Sequence, residues 1–389
     1  MQYRVNPKNS DEISALAFGC MRFRRDLEEV ERQVRYAIEQ GVNYFDTAYT
    51  YGKTEEMLGK ILAKDNLRSK VKIATKLSHY LIKSREGLDK YFNTQKKRLQ
   101  TEYIDYYMVH MLPNMASWDF LLGIGVLDWV AEKKKSGEIG QFGFSFHGAC
   151  EDFCALIDAH DWDFTMIQYN YYDIHYQAGQ KGLLHAAKKG IPVMVMEPLR
   201  GGTLVNQIPK SVEDIWANAP GDRSVASWAL SWVFHHPEVL TVLSGMETME
   251  MLEENIKTAN EAGANSLSTE ELALFDAARM EIKAKTKVDC TACNYCMPCP
   301  VGIDIPQCLQ SLNDTVLLGK WRAMFFYAAT TEGKNASRCI KCGKCTPLCP
   351  QDIPIEEKLR EAKRALEGPM YHIVRFGMRR MLNIKRKSS

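Results

Sequence analysis

Nine of the twelve cysteines in this chain lie between residues 290 and 349. Eight of them form two runs of similar spacing, each with a proline directly after its last cysteine. The runs are Cys290, Cys293, Cys296 and Cys299, and Cys339, Cys342, Cys345 and Cys349. Disulfide frameworks are typical of small secreted proteins, whereas closely spaced cysteines in a longer chain are typical of metal sites. The pattern therefore predicts metal-binding thiolates near the C-terminal end.

The second run has the spacing C-x2-C-x2-C-x3-C-P and so resembles the cluster-binding run of bacterial ferredoxins. The first run repeats it with one residue fewer before the last cysteine, and the segments CPVGIDIP and CPQDIPI are also alike. This duplication predicts two [4Fe-4S] clusters. A zinc site is the alternative, but zinc needs only two C-x2-C pairs and no cysteine-proline ligand.

The resemblance to two-cluster ferredoxins also implies how the ligands are shared, because there the fourth cysteine of each run binds the other run's cluster. It assigns Cys349 to the cluster of Cys290, Cys293 and Cys296, and Cys299 to that of Cys339, Cys342 and Cys345. The stretch LQSLNDTVLLGKWRAMFFYAA between the runs has a helical pattern, so the module resembles the α-helical dicluster type. Cys308 lies on this stretch, either as a buried core residue or as a replacement for Cys299.

Short apolar segments alternate with longer helical patterns from about residue 13 to 245, as in βαβ units with a parallel sheet. Eight of these segments are predicted strands, and eight parallel strands close a barrel. They are ALAFGCM, VNYFDTA, VKIATKL, IDYYMVH, GQFGFSFH, FTMIQYN, IPVMVME and LTVLSG. We therefore predict the α/β class, with a (β/α)8 TIM barrel followed by an α-helical ferredoxin-like iron-sulfur domain.

A last barrel helix is predicted over about residues 268–282, because STEE supplies an N-cap signal there. This gives a barrel over residues 1–284, a dicluster module over 285–369 and a basic tail over 370–389. Three further cysteines fall within the barrel and are predicted to be small buried hydrophobic residues. They are Cys20, Cys150 and Cys154.

Catalytic groups of TIM barrels come from the carboxyl ends of the strands. The segment FDTAYTYG ends the second predicted strand with Asp46 and Tyr51, Lys76 ends the third strand and His110 ends the fourth. A tyrosine hydroxyl titrates near about pH 10, so it exchanges protons at neutral pH only when a nearby cation stabilises the phenolate. Lys76 is the predicted cation, held in place by Asp46. His110 is predicted to orient a carbonyl group by hydrogen bonding.

These residues resemble the aldo/keto reductase family, whose Tyr, Lys, Asp and His tetrad passes hydride between a nicotinamide and a carbonyl. Asp46 and Tyr51 fit the family's D-x4-Y-G pattern, the expected TEEMLGKIL helix follows, and the resemblance covers about residues 10–283. It implies an oxidoreductase that acts on a small carbonyl or alcohol substrate, with Tyr51 as the general acid and base.

The resemblance also implies a nicotinamide site. Ser145 in FGFSFHG and Gln168 in MIQYN match the positions that hold the carboxamide, although Phe146 stands where the family commonly has Asn. Met196 stands where many members stack a tyrosine on the ring.

The adenine-contacting segment matches at Glu254 and Asn255, and Gly245 is also predicted to contact the cofactor. Gly245 and Met251 replace the usual Lys and Arg for the 2'-phosphate, and all charges from residue 245 to 255 are glutamates. We therefore predict that NAD(H) is preferred over NADP(H), unless Arg200 or a neighbouring loop supplies a cation.

The clusters are predicted to act in electron transfer or to dock a redox partner protein. Hydride transfer moves two electrons whereas a [4Fe-4S] cluster passes one, so exchange between them needs a converter such as a flavin, for which no sequence motif stands out. The alternative function is a redox-sensing or binding protein that uses the barrel as a nicotinamide-binding module. The intact tetrad argues against that alternative.

The formal net charge of +2 provides no global field that would attract nucleic acid. No run of about 18 apolar residues occurs, so we predict a cytoplasmic protein without stable membrane insertion. The tail YHIVRFGMRRMLNIKRKSS carries six Lys and Arg and no acidic residue. It is either a contact for an acidic redox partner or anionic lipid, or a solvated terminus.

Overall fold

The structure is a computed structural model that describes residues 1–206, 208–317, 319–331 and 333–375. The chain forms two compact units. The first consists of Met1–Leu199 and Gly221–Leu272, and the second of Arg200–Pro220 and Ala273–Ser389. Most of the predicted basic tail, from residue 376 onward, lies outside the described residues.

A closed barrel of eight parallel strands forms the centre of the first unit, as predicted. Each predicted strand segment overlaps one of them, and they follow one another around the barrel in chain order. The strands are β3 (Leu16–Gly19), β4 (Tyr44–Asp46), β5 (Lys72–Leu77), β6 (Ile104–Val109), β7 (Ile139–Phe146), β8 (Phe164–Gln168), β9 (Val193–Met196) and β10 (Val239–Ser244). An antiparallel pair that was not predicted, β1 (Tyr3–Val5) and β2 (Glu12–Ser14), precedes them.

Helices follow the barrel strands and continue into the second unit. They are α1 (Leu27–Glu39), α2 (Thr54–Leu62), α3 (Arg85–Leu99), α4 (Met115–Gly123), α5 (Val126–Lys135), α6 (Cys150–Ala159), α7 (Gly179–Lys188), α8 (Thr203–Asn206), α9 (Lys210–Ala217), α10 (Val225–Phe234), α11 (Met249–Glu261), α12 (Thr269–Lys285), α13 (Ile305–Leu317), α14 (Lys320–Thr330) and α15 (Ile355–Leu366). Helix α1 is an example of how the local sequence favours a helix: Asp26 caps its first turn, and Val30, Val34 and Ala37 form its buried face.

Inward-facing side chains of the strands fill the barrel, which is therefore a packed core rather than a channel. Strands β7 and β8 approach closely at Gly143, where a Cβ atom would lie 2.3 Å from the carbonyl oxygen of Phe164. Only glycine fits there. This close packing inside the barrel holds the carboxyl ends of the strands, which carry polar side chains, in fixed positions.

The second unit has a core of its own, built mainly from α13, α14 and α15. The helical stretch predicted between the cysteine runs is two helices, because Gly319 adopts a left-handed φ of 82° before α14 begins. The unit also includes α9 and most of α12, which the sequence assigned to the barrel domain. The ring centroids of Trp216 on α9 and Phe275 on α12 are 5.0 Å apart, so these helices pack on each other.

Within the described part of the chain, no helix combines the length and the apolar character required to cross a membrane.

Candidate functional site

Four side chains from three neighbouring strands and one turn meet at the carboxyl end of the barrel. Asp46 is the last residue of β4, Lys76 lies near the end of β5, and His110 directly follows β6. Tyr51 lies in the turn between β4 and α2. Because β4, β5 and β6 are adjacent parallel strands, their carboxyl ends lie on the same side of the barrel. The structure therefore brings together all four residues of the predicted tetrad.

The ammonium group of Lys76 is held by two acceptors. It donates to Oδ1 of Asp46 at 2.5 Å and to the carbonyl oxygen of Thr47 at 2.7 Å. The Lys76 and Asp46 side chains are only 2% and 6% exposed. Burial raises the pKa of Asp46, and the charge of Lys76 opposes that shift. Because an unpaired charge is costly at this depth, the ion pair fixes the ammonium in one place.

The phenol of Tyr51 lies beside this ammonium. The Nζ atom of Lys76 is 4.8 Å from the centroid of the Tyr51 ring. The Tyr51 ring also meets the His110 imidazole edge to face, with centroids 5.9 Å apart and an interplanar angle of 83°. A cation at this position stabilises a phenolate relative to a phenol. The half-buried Tyr51 is thus the tetrad member best placed to exchange a proton with a substrate.

The imidazole of His110 is buried and neutral at neutral pH. Burial, followed by the positive charge of Lys76, lowers the pKa of His110 well below its ordinary value. The His110 carbonyl oxygen is hydrogen-bonded to Nδ1 of His79 at 2.8 Å, which holds the backbone at the strand end. A neutral imidazole in this place can donate a hydrogen bond to a carbonyl oxygen without carrying a charge.

A network that the sequence analysis missed supports the turn that carries Tyr51. Arg98 on α3 donates to the carbonyl oxygen of Tyr49 at 3.2 Å and to Oε2 of Glu55 at 3.1 Å. The Arg98 guanidinium also lies 4.3 Å from the centroid of the Tyr49 ring. Buried Glu55 accepts a further hydrogen bond from Thr75 on β5 at 2.7 Å. These contacts tie the turn to two helices and a strand.

The two residues predicted to hold the nicotinamide carboxamide lie at the ends of β7 and β8. Gln168 donates to Asp173 at 2.7 Å and accepts from Gln177 at 3.2 Å, so its amide is oriented by buried neighbours. The Ser145 hydroxyl accepts from the backbone N–H of Met111 at 2.9 Å. Sequence reasoning missed Asp173, although an acidic residue five positions after Gln168 at a strand end was a usable signal.

The residues predicted to contact adenine lie around the end of β10 and the first half of α11. Gly245 directly follows β10, while Glu254 and Asn255 belong to α11. The Asn255 side-chain amide donates to the hydroxyl of Ser244 at 2.9 Å, which joins the helix to the strand end. Glu254 is half-buried and Asn255 is buried. The three predicted residues therefore share one region of the first unit.

A cation that the sequence analysis missed lies in this region. A Cβ atom at Gly245 would lie 3.4 Å from Cδ of Arg22, a residue of the segment after β3. The Arg22 guanidinium is paired with Glu247 at 3.1 Å. Arg200, the cation considered from sequence, is instead buried in the second unit, where it pairs with Asp289 at 3.1 Å. Three arginines following a strand end, in CMRFRR, were the signal for Arg22.

The eight cysteines of the two runs line two cavities in the second unit. One cavity has a volume of about 260 Å³ and is lined by Cys296, Cys299, Cys339, Cys342 and Cys345. The other is smaller, about 10 Å³, and is lined by Cys290, Cys293, Cys296 and Cys349. Among the described residues, no three His, Cys, Asp or Glu side chains are arranged to hold a single metal ion. Each cavity has at least four thiols and apolar neighbours, a donor set that fits an iron-sulfur cluster.

The thiols around the smaller cavity are close enough to influence one another. Burial, and then the thiols of Cys293, Cys290 and Cys349, raise the pKa of Cys296 to about 12. Cys349 therefore lies among the cysteines of the first run rather than those of its own. Four thiolates in such proximity repel each other unless a cationic centre holds them.

The remaining cysteines do not line these cavities. Cys308 is fully buried in the core of the second unit, where its sulfur lies 3.7 Å from the hydroxyl of Tyr327. Cys20 is buried in the barrel unit as predicted. The prediction was wrong for Cys150 and Cys154, which are half-buried because they lie one turn apart on a partly outward side of α6.

Comparison with known proteins gave two family matches. Residues 15–279 match the aldo/keto reductase family, and residues 289–354 match a 4Fe-4S dicluster domain. Protein tas from Escherichia coli K12 is 26% identical over 321 residues, covering 66% of this chain and 93% of its own length. L-galactose dehydrogenase from Arabidopsis thaliana is 27% identical over 312 residues, covering 71% and 93%.

Solved structures match the barrel fold. Aldo-keto reductase AKR11C1 from Bacillus halodurans, in its holo form, superposes with a TM-score of 0.61 at 24% identity, covering 72% of this chain and 96% of its own. An aldo-keto reductase from Klebsiella pneumoniae in complex with NADPH gives a TM-score of 0.58 at 23% identity, covering 71% and 95%.

Proposed function

Since the chain belongs to the aldo/keto reductase family and carries a 4Fe-4S dicluster domain, we propose that Tyr51 is the general acid and base of its carbonyl chemistry. Its family makes the protein an oxidoreductase. The substrate is a small carbonyl compound or the corresponding alcohol. The observation that carries the proposal is the buried Lys76 ammonium, 4.8 Å from the Tyr51 ring and fixed by Asp46.

Three side chains divide the work in carbonyl reduction. Tyr51 gives its hydroxyl proton to the carbonyl oxygen as that oxygen gains negative charge. Lys76 stabilises the phenolate that remains, because its charge lies beside the ring in a site with little water. Neutral His110 donates a hydrogen bond that orients the carbonyl oxygen, and it leaves the proton transfer to Tyr51. The reverse sequence serves alcohol oxidation.

The polar groups at the barrel mouth fit a nicotinamide. When bound, the nicotinamide supplies or accepts the hydride. Ser145 and Gln168 would hold its carboxamide, and the buried contacts of Gln168 with Asp173 and Gln177 keep that amide in one orientation. Gly245, Glu254 and Asn255 would line the adenine end. These groups lie at strand ends and on a helix of the barrel, and the tetrad also lies at strand ends and in the turn after one of them.

The eight cysteines of the two runs would hold two [4Fe-4S] clusters that transfer electrons one at a time. Crossed sharing of the ligands is supported by the cavity linings, since Cys349 lines the smaller cavity with Cys290, Cys293 and Cys296, and Cys299 lines the larger one with Cys339, Cys342 and Cys345. A redox partner protein would receive or supply the electrons. Exchange between the clusters and a hydride would need a flavin, which cofactor extraction under anaerobic conditions would reveal.

Turnover distinguishes this function from a sensing or binding role. The protein is expected to oxidise a reduced nicotinamide in the presence of at least one aldehyde from a broad panel, measured by the loss of nicotinamide absorbance. Binding of the nicotinamide without turnover of any aldehyde or alcohol would instead favour a nicotinamide-binding sensor. Assays with the clusters fully reduced and fully oxidised would show whether their redox state changes the barrel's activity.

NAD(H) is expected to bind at least as tightly as NADP(H). A 2'-phosphate needs a free cation, and Arg22, the cation beside Gly245, is paired with Glu247. Glu247→Gln removes that partner, so it should tighten NADPH binding by up to about tenfold and leave NADH binding nearly unchanged. Fluorescence titration with both reduced cofactors measures the two affinities.

Glu253→Gln on the exposed side of α11 is the matched control, since it removes the same charge away from Arg22. Wild-type protein that binds NADPH about ten times more tightly than NADH would contradict the predicted preference. Equal effects of the two substitutions would assign the change to net charge instead of Arg22.

A further inference from the structure

We propose that residues 338–348, around the larger cysteine-lined cavity, form the docking surface for an acidic one-electron carrier protein. This inference rests on the proposed function, because it requires a cluster bound by Cys299, Cys339, Cys342 and Cys345. It makes this cluster, rather than the one bound by Cys290, Cys293, Cys296 and Cys349, the point where electrons enter or leave the protein. We call residues 338–348 the port segment.

The port segment is the more accessible of the two cluster-binding segments. All twelve cysteines belong to the described residues, and Cys342 is the one that is exposed. Two apolar side chains of the segment also face solvent, Ile340 with 62% and Leu348 with 52% of their surface exposed. Electron transfer between proteins falls steeply with distance, so an exposed ligand is a favourable contact point. Exposed apolar side chains beside it give a partner a surface to pack on.

The charge around the two cysteine runs is unequal. Residues 334–351 contain four basic residues, Lys334, Arg338, Lys341 and Lys344, and no acidic residue. The only charged residues of the segment 287–303 are Lys287 and Asp289, whose charges cancel. Within the part of the chain that the structure describes, no ion pair neutralises Lys341 or Lys344. Glu356 on α15 is the acidic residue lining the larger cavity. The port segment therefore remains positive and is complementary to an acidic surface.

These features fit an electron carrier better than a stable partner. Redox complexes use small interfaces, since each contact needs to last only long enough for one electron to pass. Opposite charges raise the rate of encounter, and salt weakens that steering because it screens charges at the surface. A few cations around two exposed apolar residues are sufficient for such a brief contact.

The test compares two charge-reversed variants of the full protein, purified without oxygen. Lys341→Glu with Lys344→Glu changes the port segment. Lys363→Glu with Arg364→Glu changes the exposed end of α15, beyond the α15 residues that line the cavity, by the same net charge. The probe is an acidic plant-type [2Fe-2S] ferredoxin, and surface plasmon resonance measures its dissociation constant at several salt concentrations. Stopped-flow absorbance measures the second-order rate at which the reduced probe reduces the clusters.

The port variant is expected to raise the dissociation constant and to lower the transfer rate by about tenfold or more at low salt, while the α15 variant stays within about twofold of wild type. The salt dependence of binding should also become weaker in the port variant alone. Unchanged values for the port variant, or equal losses in both variants, would overturn the proposed surface. Iron content and electron paramagnetic resonance report on the clusters separately, so loss of a cluster is distinguishable from loss of docking.

Discussion

Tyr51→Phe is expected to lower the rate of carbonyl reduction by about 10²-fold or more and to leave nicotinamide binding intact. The substitution removes the hydroxyl that gives up the proton but keeps the ring that packs beside His110 and Lys76. Neither Lys76 nor His110 can replace it, since Lys76 is engaged by Asp46 and Thr47 and His110 is neutral. Steady-state kinetics with an accepted aldehyde and a binding titration with the nicotinamide measure the two effects.

Tyr80→Phe provides a matched control for this experiment. The Tyr80 ring also lies near His110, with centroids 6.2 Å apart, but it is 49% exposed and has no contact with the buried lysine among the described interactions. The Tyr80→Phe variant should reduce the carbonyl substrate at a rate close to that of the wild type. If Tyr51→Phe kept more than about a tenth of the wild-type rate, or if both variants lost activity equally, Tyr51 would not be the general acid.

Two double cysteine variants are expected to differ in their number of intact clusters, although each variant lacks two thiols. Cys293→Ala with Cys349→Ala removes two ligands from one site, so the other site keeps four thiolates and one intact [4Fe-4S] cluster. Cys293→Ala with Cys299→Ala removes one ligand from each site, so neither site keeps four thiolates. Mössbauer and electron paramagnetic resonance spectra of anaerobically purified protein count the intact clusters.

Uncrossed ligation makes the opposite prediction for the same two variants. The pair Cys293 and Cys299 would then share one site, and that variant would be the one that keeps an intact cluster. Cys293→Ala alone serves as the control for folding, because either scheme leaves one complete site. Thermal unfolding of this single variant shows how much of the second unit's stability depends on the metal.

The sequence predicted the parts of the fold that depend on local patterns of apolar and polar residues. The barrel strands appear as short apolar runs between amphipathic helices, and the tetrad follows from the strand ends. The strands of the N-terminal pair, such as Tyr3–Val5, are too short to show any alternation. Cys150 is half-buried because neighbouring elements cover α6 only in part. The sequence pattern of a single helix gives no information on how its neighbours cover it.

Long-range pairs account for most of what was missed. Arg98 and Glu55 are 43 residues apart, and their contact depends on the packing of α2 against α3. Arg22 and Glu247 are 225 residues apart and meet because β3 and β10 are neighbours in the closed barrel. The assignment of α9 and most of α12 to the second compact unit has a similar cause, since these two helices pack on each other.

Metal analysis of the anaerobically purified protein tests the central claim, a reductase barrel joined to a module with two clusters. The two sets of four thiols predict about eight iron atoms and about eight acid-labile sulfides per chain, together with a brown, oxygen-sensitive protein. Inductively coupled plasma mass spectrometry gives iron and zinc in one sample. About four irons per chain, or zinc in stoichiometric amounts, would contradict the account of two [4Fe-4S] clusters.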